Sequence, residues 1–238
     1  MEVVLKKSAE AQAIEILRGE ILTGAIKPGA RLTEVKFAGK LGISRATLRT
    51  ALHQLTVEGL VHQIPYTGWS VLTLSAHDAW ELYTLRASLE GLAARLTAQS
   101  IDAEGREELE RAFARLSEVG SKHSLQRATA ADFALHKTIV RLARHGRLAE
   151  QYRLVEQQVR VSIASTNALL PDLSSIINQH VPIVEAILAG RAKEPAALSE
   201  AHNHTEGERL RQHLERREML AGIVSPATRT RKRGKGQP

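Results

Sequence analysis

Residues 32–61 read LTEVKFAGKLGISRATLRTALHQLTVEGLV, and the chain continues HQIPYTGWSVL to residue 72. Apolar side chains recur at helical spacing from Thr33 to about Leu41 and again from Ser44 to about Gly59, with Gly42-Ile43 breaking the pattern between them. Past Gly59 the period changes. Residues 60–64 alternate, Pro65-Tyr66-Thr67-Gly68 forms a turn, and residues 69–72 resume as strand, so a β-hairpin is the only good strand signal in the chain. Upstream, Ile14, Leu17, Ile21 and Leu22 mark a further helix from Ser8 to about Thr23, closed by Gly24 and followed by a Lys27-Pro28-Gly29 turn. Three helices and a hairpin predict a winged helix-turn-helix over residues 1–75.

In that arrangement the helix after Gly42 is the one that enters a major groove. Ser44 is a plausible N-cap, which leaves the free N–H groups of the first turn facing outward. Arg45 and Arg49 lie one turn apart and share a face flanked by Thr47 and Thr50, while Leu48, Leu52 and Leu55 point the other way, toward Leu41 and Leu32. Arginine pairs with guanine edges or phosphate, and threonine with phosphate or a thymine methyl. The wing, ending at Gly68, lies beside the backbone. Two arginines on a helix are more often a solvated face; the cap, turn and hairpin in register, together with the family resemblance given below, tilt the balance toward double-stranded DNA.

Composition excludes several classes. The 238 residues include no cysteine, so there is no disulfide, thiolate metal site or cysteine nucleophile. Only 3% are aromatic, which argues against base stacking on single strands. No apolar run reaches membrane-spanning length and the N-terminus lacks a signal-peptide core, so a soluble cytoplasmic protein without a membrane partner is expected. The formal charge of +7 is uneven. Residues 1–75 carry +3, residues 76–222 carry −1, and residues 223–238 carry five basic and no acidic side chains in a segment expected to be a disordered tail.

From residue 76 to 222 the helix period is unbroken except at joints, predicting six helices at about 77–99, 103–119, 125–143, 148–169, 173–189 and 195–220. Asp102 and Asp172 are candidate N-caps and Gly190 a C-cap. The fold class is therefore mainly α, a winged helix-turn-helix followed by an all-α bundle. Asp132 and His136, four apart, project from one helix face and are able to share an ion, although by spacing alone such a pair is more often structural. His180 and His202 sit on two later helices.

The pattern from Leu32 through Val61, with Pro65 and Gly68 of the wing, resembles the DNA-binding domain of GntR-family transcription regulators. It departs at Thr67 and Val35, where members often carry arginine, which bears on base preference. Asp132-Phe-Ala-Leu-His136, then residues 178–190 with His180, then His202, is similar to the FCD ligand-binding domain of the FadR subgroup, and six helices look like its VanR-type branch. Gln179 and Arg191 depart from that pattern at non-ligand positions. The resemblance implies a divalent metal ion, zinc, nickel or similar, on Asp132, His136, His180 and His202. It further implies a homodimer on a pseudo-palindromic operator, repressor or activator, answering to a small carboxylate effector on the metal's open positions. Arg86 is expected to pair with that effector, the alternative being an internal ion pair with Glu90. Two other functions compete: a metal-dependent hydrolase or isomerase on the helical domain, and a regulator whose metal is itself sensed or purely structural.

Overall fold

The computed structural model describes residues 7–120, 124–191 and 193–220. The chain opens with α1 (Ala9–Leu22), whose cap Ser8 accepts a hydrogen bond from the Ala11 N–H at 3.1 Å. Then come β1 (Arg31–Leu32), α2 (Glu34–Leu41), α3 (Arg45–Val57), β2 (Val61–Ile64) and β3 (Gly68–Val71). Between α2 and α3, Gly42 adopts φ 65°, a left-handed conformation that glycine enters without steric cost, and this turns one helix onto the next. The expected hairpin is present, with Val61 opposite Val71 and Ile64 opposite Gly68. It gains a strand that the sequence pattern did not announce: β1 pairs antiparallel with β3, Leu32 opposite Trp69, giving the order β1-β3-β2. Two residues are too short for a period-2 signal, yet Leu32 is fully buried.

Leu17, Leu48, Leu52, Leu55, Leu60 and Trp69 form the core of this unit. Each such side chain contributes about 1.5–3 kcal/mol by leaving water, enough for a small domain to hold its reading helix in place. An ion pair seals the edge: Arg18 of α1 donates to both oxygens of Glu58 at 2.8 and 2.6 Å.

The second unit is α4 (Ala76–Ser100), α5 (Ala103–Gly120), α6 (Leu125–Leu142), α7 (Gly146–Asn167), α8 (Ser174–Leu188) and α9 (Glu194–Leu220). Helix α4 begins with a capping box between Ser75 and Asp78. Asp102 accepts from the Gly105 N–H and Asp172 from the Ser175 N–H, each at 2.9 Å, and Gly190 follows α8 at φ 66°. Helix α7 starts two residues before its apolar pattern because the His145 ring nitrogen accepts from the Leu148 N–H at 3.1 Å. Tyr83 and Gly207 show how closely α4 meets α9: a Cβ on Gly207 would lie 2.5 Å from that of Tyr83.

The two units touch through α7. Val161 packs against the N-terminal core, and Gln158 lies across Gly59, where an added Cβ would fall 1.9 Å from its side-chain nitrogen. Gly59 also has φ 69°, so glycine is required there twice over. No helix among the described residues is long and apolar enough to cross a membrane. The basic segment 223–238 lies outside the described residues.

Candidate functional site

Helices α6, α8 and α9 bring Asp132, His136, His180 and His202 to one place inside the second unit. Asp132 is 3% exposed, His136 3% and His180 1%. Asp132 Oδ1 lies 3.3 Å from His136 Nε2 and 3.2 Å from His180 Nε2, and the two Nε2 atoms are 3.1 Å apart. The His202 ring completes the cluster with centroids 4.6 Å from His180 and 5.5 Å from His136. Ligand atoms of the three histidines all lie within 4.8 Å of one another.

The outer nitrogens decide what the inner ones can do. His136 Nδ1 faces Glu90 Oε2 at 3.0 Å, and His180 Nδ1 faces the Ile176 carbonyl at 2.7 Å. Both partners are acceptors, so each Nδ1 carries a proton and each Nε2 is turned inward, the atom that would face a metal ion. Two Nε2 atoms thus meet beside Asp132 Oδ1, a buried carboxylate oxygen with no hydrogen-bond partner among the described residues, so the site calls for positive charge, a proton or a metal ion. Such an arrangement repels itself unless positive charge enters. Tetrahedral zinc, at about 2.0–2.1 Å from each nitrogen, holds its ligand atoms about 3.3 Å apart, close to the 3.1–3.3 Å spacings among Asp132, His136 and His180, with His202 within 4.8 Å of the other histidines. The donor set therefore fits a first-row divalent ion.

Electrostatics agree. Burial disfavours a charged His136, but the Glu90 and Asp132 carboxylates outweigh it and push its pKa up to about 9. Burial alone would raise both carboxyls as well; His180 and His136 around Asp132, and Arg86 and His136 around Glu90, instead hold each well below the usual range. Burial, then the neighbouring imidazoles, keep His202 well below its ordinary value, so it stays neutral with a lone pair to offer.

Around this cluster lies a shell in which sequence reasoning had placed Arg86 as the effector's anchor. The structure puts Arg86, 1% exposed, in a two-pronged pair with Glu90 at 3.0 and 3.2 Å. Glu90 also accepts from Tyr152 and from Asn203, each at 2.9 Å, while Asn167 donates to Asp132 Oδ2 at 2.8 Å. Tyr152 and Asn203 carried no sequence signal, being single polar residues on apolar helix faces. The cavity beside the histidines, bordered by Glu90, Ile183 and Ser199, measures about 10 Å³. Arg141 of helix α6 lies outside this cavity and pairs with Glu108 on the surface.

The N-terminal unit arranges its own set. Ser44 caps α3, its Oγ accepting from the Thr47 N–H at 3.0 Å. Arg45, Arg49 and Thr50 are exposed and Thr47 is half-buried on the same side, whereas Leu48, Leu52 and Leu55 are fully buried. Thr50 returns its hydroxyl to the Ala46 carbonyl at 3.2 Å. Glu34 of α2, which the pattern did not single out, accepts from Arg49 at 3.0 and 2.8 Å and lies 3.7 Å from Arg45. Gly68 starts β3 at φ 105°, next to Tyr66, fully exposed at the wing tip with φ 63°.

A capped recognition helix with exposed arginines and a wing, joined to a helical bundle enclosing a histidine–aspartate cluster, defines a DNA-binding regulator with a second, all-helical domain. Comparison with known proteins agrees. Residues 81–205, more than half the chain, match the FCD domain, and residues 9–71 match the bacterial regulatory proteins of the gntR family. The chain belongs to the GntR family of transcriptional regulators, in its FCD-bearing group. It is 28% identical over 199 residues to the "Probable D-xylose utilization operon transcriptional repressor" of Paenarthrobacter nicotinovorans, covering 84% of this chain and 86% of that one. Among solved structures it superimposes on E. coli McbR/YncC with a TM-score of 0.72 at 18% identity, over 87% of this chain and 99% of that one. A GntR family member from Pseudomonas syringae pv. tomato gives 0.51 at 24% identity, over 91% of this chain and 89% of that one. At those identities the two structures speak to the fold. The chain is thus a regulator and not an enzyme, which removes the hydrolase or isomerase alternative.

Proposed function

We propose that the chain is a ligand-responsive repressor that works as a homodimer on a pseudo-palindromic operator. Each winged unit takes one half-site, with Arg45, Thr47, Arg49 and Thr50 toward the bases and Ser44 and Gly68 toward the backbone. A divalent first-row ion on Asp132, His136, His180 and His202 forms the core of the sensor, and a small organic acid on its open positions biases the placement of the winged units. Repression is the sign borne by the name of the Paenarthrobacter relative.

The observation that carries the metal reading is the buried, unpartnered Asp132 Oδ1 facing two inward Nε2 atoms. Elemental analysis of the purified chain tests it, paired with DNA-binding titrations before and after chelation on the fragment upstream of its own gene. One bound first-row ion per chain, and a sequence-specific shift at moderate salt, are expected; a metal-free chain or a shift indifferent to sequence would overturn the proposal. A second reading, in which the metal itself is the signal, has the 10 Å³ cavity in its favour, since that space holds about one water and no organic acid. Response to metal without any added acid would select it.

A further inference from the structure

A second cavity opens between the two units. It encloses about 580 Å³ and is walled by α1 on one side and by α6 and α7 on the other. Its apolar lining is Leu22, Leu125, Ala130 and Ala164. Of its charged residues, Glu15 is held by Lys7 at 2.7 Å and Arg18 by Glu58 at 2.6 Å. Arg160 differs from both. It is half-buried, its guanidinium lies over the Phe133 ring at 5.7 Å, and it makes no hydrogen bond or ion pair among the described residues. Burial draws its pKa down, against a pull from Glu156, which is itself paired with Lys137 at 2.7 Å.

We propose that this cleft is a binding site for a small monocarboxylic acid with an apolar body, its carboxylate paired with Arg160 and its hydrocarbon against Leu22, Leu125, Ala130 and Ala164. A half-buried arginine without a carboxylate, at the wall of a cavity of ligand size, is the complement of that ligand class. The site is separate from the histidine cluster but not remote from it. Thr129 lines the cleft, and its hydroxyl lies 3.5 Å from Asn167 Nδ2, which binds Asp132. Because the walls belong to different units, an occupant touches the winged domain and the sensor at once, and any difference in its affinity for two domain placements becomes a difference in DNA affinity. This consequence rests on the regulator assignment; the binding itself does not.

Calorimetric titration of the full chain with hexanoate, and with the uncharged hexanamide, tests the site. Hexanoate binds, and hexanamide binds about tenfold or more weakly. Arg160→Met weakens hexanoate by a similar factor, and Ala130→Trp, at an exposed position on the wall, blocks it while leaving the melting temperature in place. Absence of binding to the wild type, equal binding of acid and amide, or indifference to Ala130→Trp each overturns the proposal. Binding that withstands Arg160→Met and Ala130→Trp and is lost in His202→Ala also overturns it, by moving the acid to the metal centre, an outcome that would leave the proposed metal-assisted effector site standing.

Discussion

Two arginine–glutamate pairs in this chain share a geometry and differ in everything else. Arg86 and Glu90 sit one turn apart on α4 with side-chain exposures of 1% and 3%; Arg49 and Glu34 join α3 to α2 at 52% and 22%. In both, the arginine donates two hydrogen bonds to one carboxylate. Water makes the difference. The exposed pair competes with solvent and salt and is worth about 1 kcal/mol or less, so a DNA phosphate or base can displace Glu34 at small cost. The buried pair has no substitute partner, and breaking it strands a charge in the interior. One pair is thus a releasable rest for a recognition side chain, and the other a fixed support for a sensor.

The largest effect that tests this contrast is expected from Glu90→Ala. It leaves Arg86 unpaired and removes the acceptor of His136, Tyr152 and Asn203, at a cost of about 3–5 kcal/mol by denaturant unfolding. A loss below about 1 kcal/mol would erase the distinction between the two pairs. Next, His180→Ala is expected to release the metal, lowering the melting temperature of the loaded protein to that of the chelated wild type; a variant that keeps its ion by elemental analysis would show that His180 is no ligand. Arg49→Ala should weaken operator binding by about 1–3 kcal/mol while leaving stability nearly unchanged. Equal losses on operator and random DNA would reassign Arg49 from base to phosphate. The smallest effect belongs to Glu34→Gln, with under about 1 kcal/mol in stability and tighter binding to random DNA in filter assays, since a negative charge leaves the DNA-facing side. Weaker binding there would mean that Glu34 positions Arg49 rather than restraining it.

What the sequence made legible follows the reach of its signals. The α2–α3 pair, the hairpin and the six later helices show as strong local periods with caps, and they stand where Thr33–Leu41, Ser44–Gly59 and the segments after residue 76 placed them. β1 was invisible because two residues carry no period, and its strand exists only through the partner β3. At the histidine cluster, Asp132 and His136 are visible as a four-residue spacing, whereas His180 and His202 join them only because α6, α8 and α9 all pack on α4, which the family pattern encodes and local spacing does not. Glu90 shows the limit most clearly. Four apart from Arg86, it reads as an ordinary helical ion pair, and nothing local says that the same carboxylate also receives His136, Tyr152 and Asn203 from other helices.

The donor set at the centre is nitrogen and oxygen throughout, in a chain with no thiol anywhere. Peroxide and disulfide stress, which silence sensors built on thiolates, find no thiolate here to attack. Such a set also ranks copper above zinc and nickel by intrinsic affinity, so the identity of the proposed ion would be decided by what the cell leaves free rather than by the pocket itself. On the proposed function, the regulator would report on the supply of metal and acid through donors that thiol chemistry does not reach.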